Sequence, residues 1–146
     1  MTDTKIIIGF LTISDRAARG IYEDISGPAM QEWISKAVIS PYEVVSKVIE
    51  DEQPLIEQTL IEMSDNLGCN LILTTGGTGP TTRDVTPEAL EPLLDRRIPG
   101  MEEAIRNYGQ QRTPYSMLSR SLVGVMGKML VVALPGSTNG AKESMD

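Results

Sequence analysis

Histidine is absent from this 146-residue chain, and that absence removes several kinds of chemistry. Serine–histidine and cysteine–histidine nucleophiles need an imidazole to take the proton, and histidine-based metal centres need it as a ligand. Cysteine is nearly absent too. Cys69 stands alone, so no internal disulfide forms and a reducing cytoplasm is the expected setting. It reads as a small core-edge residue, or as a thiol with no histidine to activate it. Basic residues are outnumbered: 13 Lys and Arg against 20 Asp and Glu give a formal net charge of −7. A general nucleic-acid binder needs a basic surface, so no nucleic-acid partner is expected. The acidity reads as solubility, with Arg16, Arg83 and Arg120 still available to grip a small phosphorylated ligand. Long apolar runs are missing as well. Nothing approaches bilayer-spanning length, and MTDTKIIIGFL lacks the basic start and cleavage site of a signal peptide. A soluble, cytoplasmic protein without a membrane partner is the expectation. No repeat, linker or low-complexity segment divides the chain, so residues 1–146 are expected to form one domain.

What is present is an alternation of apolar strands and amphipathic helices. Lys5–Ser14 reads as a central strand. Pro28–Val38 follows as a helix that places Met30, Trp33, Ile34, Ala37 and Val38 on one face. Tyr42–Ile49 is a second strand, with Val44, Val45, Val48 and Ile49 β-branched. Pro54–Leu67 is a second helix burying Ile56, Leu60, Met63 and Leu67, with an acidic solvated face. Leu71–Thr75 is a third strand. Pro87–Leu94 and Met101–Tyr108 read as shorter helices. Leu122–Met126 and Met129–Leu134 are two strands about a Gly127–Lys128 turn, a spacing that permits only antiparallel neighbours. The pattern predicts a three-layer α/β/α sandwich, its sheet mostly parallel with one antiparallel strand.

One segment stands out: LILTTGGTGPTTRDVTP, from Leu71 to Pro87. It leaves a buried strand at Gly76-Gly77-Thr78-Gly79 and crosses a polar loop carrying Arg83 and Asp84. It then restarts as a helix with Thr86 as the expected N-cap and Pro87 at the first helical position. Three glycines in four positions let backbone N–H groups approach a ligand closely, as a phosphate cradle requires. A tight strand-to-helix turn explains the same glycines. The segment is neither a Gly-Lys-Ser/Thr loop nor a GxGxxG helix start. A carboxylate beside a phosphate loop repels the anion unless a divalent cation lies between them, which points to a Mg²⁺-bound nucleotide. In open α/β sheets ligands lie beyond the carboxyl ends of the strands. Ser14-Asp15-Arg16, Asp51, the Gly76–Asp84 loop and Pro135-Gly136-Ser137 all follow expected strands. Taken singly, Asp51 also reads as a helix N-cap ahead of Pro54, Asp84 as a brace for its own loop, and Pro-Gly-Ser as an ordinary turn.

TTGGTG followed by RDVTPEA resembles the molybdopterin-adenylylating family of MogA/MoaB type, which includes the G domain of gephyrin. GFLTISDR (Gly9–Arg16), Ile25-Ser26-Gly27-Pro28, Glu50-Asp51-Glu52, TPYSMLSRS (Thr113–Ser121) and Leu134-Pro135-Gly136-Ser137 extend the resemblance in family order over nearly the whole chain. The resemblance implies an enzyme of molybdenum cofactor biosynthesis. It transfers AMP from ATP, its co-substrate, to the terminal phosphate of molybdopterin, releasing pyrophosphate. It also implies Asp51 and Asp84 as catalytic residues and Mg²⁺ ligands. Gly76, Gly77, Thr78, Gly79, Pro135, Gly136 and Ser137 would hold the nucleotide, and Ser14, Ser119 and Arg120 the pterin. Asp15 and Glu52 are candidate outer-shell helpers. A homotrimer and a downstream molybdenum-insertion protein as partner are implied in the same way. Members of the family continue the helix that Asn139–Asp146 begins, so a shortened C-terminal helix is expected. The rival readings are a non-catalytic scaffold that keeps the pterin or nucleotide pocket, and a nucleotide hydrolase using the same carboxylates.

Overall fold

The computed structural model describes residues 6–20, 26–110 and 118–134. Six strands form one sheet: β1 (Ile6–Ile13), β2 (Tyr42–Ile49), β3 (Leu71–Thr75), β4 (Arg96–Arg97), β5 (Val123–Met126) and β6 (Met129–Leu134), in the order β2-β1-β3-β6-β5-β4. β1 pairs in parallel with β2 and β3, and β3 in parallel with β6. β5 is antiparallel to both β6 and β4, so it alone runs against the other five. Gly127 closes the β5–β6 hairpin with φ +60°. The two-residue β4 has no counterpart among the predicted elements.

Alternation along the buried strands feeds two separate apolar layers. From β1, Leu11 and Ile13 point to one side of the sheet, where Ile56, Leu60 and Met63 of α3 (Gln53–Asp65) and Ala89 and Leu90 of α4 (Thr86–Leu90) cover them. Ile8 and Phe10 point to the other, against Met30 and Ile34 of α2 (Ser26–Ala37) and, at the margin, Ile105 of α5 (Pro99–Gln110). Each of these large side chains removed from water stabilises the fold by about 1.5–3 kcal/mol before the entropy of ordering is set against it. The three-layer arrangement is therefore the one the sequence pattern predicts.

The departures have local causes. A short helix, α1 (Asp15–Ala18), follows β1 directly, capped by the Ser14 hydroxyl accepting from Ala17 N at 3.3 Å. Ala37 is exposed and Trp33 only half-buried, so the buried face of α2 is narrower than its periodicity suggests. The helix expected over Pro87–Leu94 stops at Leu90 and ends as a 3₁₀ turn over Glu91–Leu93, where Pro92 supplies no N–H for a continuing α-helical ladder. Thr86 is not the N-cap. Val85 occupies that position without a side-chain cap, because the Thr86 hydroxyl is spent elsewhere.

Candidate active site

The ends of β1, β2 and β3 deliver three loops to one edge of the sheet, and the first two lock onto each other through their acids. Asp15 N donates to Asp51 Oδ2 at 2.9 Å, and Asp51 N donates to Asp15 Oδ1 at 2.9 Å. Ser14 N bonds Ile49 O at 2.8 Å, one rung further back. This reciprocal bracket fixes Asp51 although its partner is distant in sequence. It also decides between the readings of Asp51, since Glu52 occupies the N-cap of α3 and Asp51 faces the first loop. Burial pushes the Asp51 carboxyl above the usual carboxylate range, helped by the negative charges of Asp15 and Asp84 against the pull of the Asp15 N–H and Arg83. Asp15 lies on the opposite side of its ordinary value: the Arg83 guanidinium, bonded to Asp15 Oδ2, holds it low against the cost of burial.

The glycine loop packs against this bracket. Gly76 has φ +101°, and a Cβ built there would lie 2.1 Å from Ile13 O. Gly77 has φ +70°; its Cβ would lie 2.2 Å from Thr86 Oγ1 and 3.3 Å from Asp51 Oδ1. Both positions therefore need glycine for backbone conformation and for space. Thr86 ties the loop to α4: its Oγ1 donates to Gly76 O at 2.9 Å and its N to Gly77 O at 3.0 Å. Asp51 thus sits against the loop's backbone with Oδ1 free of hydrogen bonds among the described residues.

Beyond Gly79 the chain turns back on itself. Asp84 Oδ2 accepts from Thr81 N at 3.1 Å and Thr81 Oγ1 at 2.6 Å, and its Oδ1 has no such partner among the described residues. Ser119 and Arg120 lie across the same loop. Arg120 N donates to Thr78 O at 2.7 Å, while Ser119 Oγ is 2.8 Å from Ser121 Oγ and donates to Thr78 Oγ1 at 3.5 Å. The Arg120 guanidinium is turned inward onto Gly79 O, Asp84 O and the Glu88 carboxylate. Behind this strip, Arg106 Nη1 donates to Ser121 O at 3.0 Å, and buried Glu102 accepts from Val123 N at 3.0 Å while paired with Arg97. Burial raises the Glu102 carboxyl, but Arg97 and the Val123 N–H outweigh it and hold the group below the ordinary glutamate range.

Of the residues singled out in the sequence, Ser14, Asp15, Asp51, Gly76, Gly77, Thr78, Gly79, Arg83, Asp84, Ser119 and Arg120 form linked parts of this edge. Glu52 is exposed and caps nothing through its side chain. Pro135, Gly136 and Ser137 lie outside the described residues, as does the side chain of Arg16. Thr81, Thr86 and Glu88 were not foreseen as site residues. Among the described residues no three histidine, cysteine or acidic side chains converge to hold a metal ion. Asp51 and Asp84 instead each present one carboxylate oxygen. Magnesium is commonly held by one or two carboxylates together with substrate phosphates, and this donor set fits that pattern.

Comparisons with known proteins bear on the family of the chain. Residues 9–146 match the model of a probable molybdopterin binding domain. The molybdopterin adenylyltransferase of Escherichia coli K12 is 43% identical over 139 residues, covering 95% of this chain and 71% of that protein. The molybdopterin adenylyltransferase of Helicobacter pylori strain 26695 is 43% identical over 141 residues, covering 97% of this chain and 80% of that protein. The crystal structure of the molybdopterin biosynthesis enzyme MoaB from Thermus thermophilus superposes with a TM-score of 0.86 at 42% identity, over 96% of this chain and 87% of that one. With a matching domain over almost its whole length, and relatives of this similarity, the chain belongs to the molybdopterin-binding domain family that contains the bacterial molybdopterin adenylyltransferases.

Proposed function

We propose that this protein is a Mg²⁺-dependent molybdopterin adenylyltransferase of molybdenum cofactor biosynthesis. The observation that carries the reading is the meeting of two separately held carboxylates, Asp51 and Asp84, on either side of a glycine loop with glycine-only geometry. An oxygen of the terminal molybdopterin phosphate forms a bond to the α-phosphorus of ATP, and the bond to the bridging oxygen breaks as pyrophosphate leaves. That phosphate has a second pKa near ~6, so it is largely ionised at neutral pH and needs no histidine base. Bound Mg²⁺ supplies charge neutralisation for the phosphates, with Asp51 Oδ1 and Asp84 Oδ1 as the atoms to hold it or its water shell.

The chain's own residues do the positioning. Gly76, Gly77, Thr78 and Gly79 bring backbone to the nucleotide phosphates, continued by Pro135, Gly136 and Ser137. Ser14 and Ser119 line the pterin side, with Arg120 bordering it. Asp15 keeps Asp51 in place, and Arg83 keeps Asp15 charged. We also read the chain as one domain that works in the cytoplasm as a homotrimer and passes its product to a molybdenum-inserting protein. The family resemblance supports these last points.

The test is incubation with ATP, Mg²⁺ and molybdopterin, with adenylylated molybdopterin and pyrophosphate measured together. Equal yields of the two are expected. ATP consumption without added pterin marks a hydrolase, and pterin binding without turnover marks a scaffold; either overturns the proposal. Calorimetry of a non-hydrolysable ATP analogue with and without Mg²⁺ checks the metal separately, with tighter binding in its presence expected.

A further inference from the structure

We propose that Arg120, with Glu88 as its counter-charge, is a positioning residue that links the pterin side of the site to Asp84 without touching either substrate through that linkage. The inference rests on the adenylyltransferase reading for its catalytic consequence, but its structural content stands apart from it. One rigid guanidinium spans the turn that carries Asp84. Its Nε donates to Gly79 O at 3.0 Å and its Nη2 to Asp84 O at 2.6 Å, the two ends of that turn. The same plane meets the Glu88 carboxylate in a two-pronged pair, Nη1 to Oε2 at 2.6 Å and Nη2 to Oε1 at 3.0 Å. Glu88 lies in the first turn of α4, so the turn is fastened to a helix that is itself packed into the core.

An ordinary exposed ion pair would contribute little, and both of these side chains are about two-fifths exposed. What distinguishes this one is where the remaining donors go: onto backbone carbonyls that bracket a carboxylate of the site. Arg120 is adjacent to Ser119, and its own N–H is bonded to Thr78 O. A ligand that presses on Ser119 therefore loads the same strip that holds Asp84. A lysine cannot substitute, because a single ammonium lacks the planar fork that reaches four acceptors.

Inside the turn, Thr81 N is bonded to Asp84 Oδ2 and Asp84 N to Thr81 O at 3.1 Å. Backbone amide exchange at Thr81 and Asp84, measured without any substrate, thus reads the hold directly. In Arg120→Lys and in Glu88→Ala, exchange at these two amides should speed by about 10-fold, while amides of β3 and α3 keep their protection. Glu88→Gln, which keeps one acceptor, should fall between. In turnover, Glu88→Ala should lower kcat about 3- to 10-fold with the KM for molybdopterin changed less than about 2-fold. Unchanged exchange at Thr81 and Asp84 in both Glu88→Ala and Arg120→Lys overturns the proposal. So does a Glu88→Ala variant that loses molybdopterin affinity at normal kcat, which would make Arg120 a direct ligand. If no variant or wild-type protein turns over, the exchange result still decides the positioning claim while the adenylyltransferase reading fails.

Discussion

Asp51 and Asp84 both lie against the glycine loop but are held in opposite ways. Asp51 is fixed from a distance, by a backbone N–H and a carboxylate 36 residues earlier in the chain. Asp84 is fixed locally, by Thr81 three residues before it, and only its backbone carbonyl is gripped from afar. Burial opposes the charge on Asp51, whereas the Asp84 turn is largely open to water. The difference separates two tasks that share one residue type. A carboxylate whose charge is opposed by burial costs stability; one in a self-closed turn keeps its own loop in shape.

The largest expected effects come from removing either carboxylate. Asp51→Ala and Asp84→Ala should each lower adenylyl transfer by about 10²-fold or more, the loss of a metal or phosphoryl contact in the transition state. Steady-state rates on purified variants check this, and near-normal turnover in either removes that residue from the catalytic pair. Asp51→Ala should reduce kcat more than molybdopterin affinity, since a residue that handles the cation or the transferring phosphoryl group acts mainly in the transition state.

Asp51→Asn sharpens the contrast. An acid whose folded pKa is raised contributes most to stability below its unfolded value, near 3.8, and loses that contribution as pH rises through the folded value. Above the folded value the charged Asp51 carboxylate is therefore a cost. Asn keeps an oxygen for the Asp15 N–H, so Asp51→Asn should raise the melting temperature at pH 7 while abolishing activity. Asp84→Ala should lower the melting temperature by removing the Thr81 staple, a loss of about 1 kcal/mol. Melting curves that move the same way for both would erase the distinction.

Glycine substitutions come next. Gly76→Ala meets both a positive φ and the Ile13 carbonyl, and should destabilise by at least about 1–3 kcal/mol in denaturant titrations. Gly79 has no positive φ, but a Cβ there would lie 2.7 Å from Asp84 Oδ2. Gly79→Ala should accordingly lose activity by about 10-fold through a displaced carboxylate while remaining folded. Wild-type activity in that variant would separate Asp84 from the loop.

The smallest effect lies outside both carboxylates. Glu102, held below the ordinary glutamate value of 4.5, contributes stability that is complete above that value and lost as pH falls through the folded one. Glu102→Gln should be less stable than wild type at pH 7, and the gap should narrow as pH drops below about 4.5. A gap that is constant with pH would show that packing alone matters there.

The strands and longer helices were legible because their periods are long enough to repeat. Tyr42–Ile49 and Met129–Leu134 coincide with the observed strands. β4 has two residues and no alternation to read. Thr86 shows why caps mislead: Thr-Pro-Glu has the composition of a helix start, yet the hydroxyl closes onto Gly76 O, ten residues back. The loops that carry Asp51 and Asp84 were legible as loops after strands. Asp84 as a brace for its own loop was legible too, and Thr81 bears it out; the remote partners were not, because the Asp15–Asp51 bracket and the Arg120–Glu88 fork join segments 36 and 32 residues apart. No local pattern encodes such a pairing; the sheet order does.

That order has a consequence for how the molecule is made. β6 (Met129–Leu134), the last strand among the described residues, lies between β3 and β5. Until it enters, the chain can hold β2-β1-β3 as one ribbon and β5-β4 as another, with no hydrogen bond ladder joining them. Parallel pairings between remote segments demand loop closure before they reward it. A chain leaving the ribosome would thus carry Asp51, the glycine loop and Asp84 long before it carried a finished sheet. The final strand acts as a keystone, and synthesis of the chain through Leu134 is the step that makes the two halves one sheet.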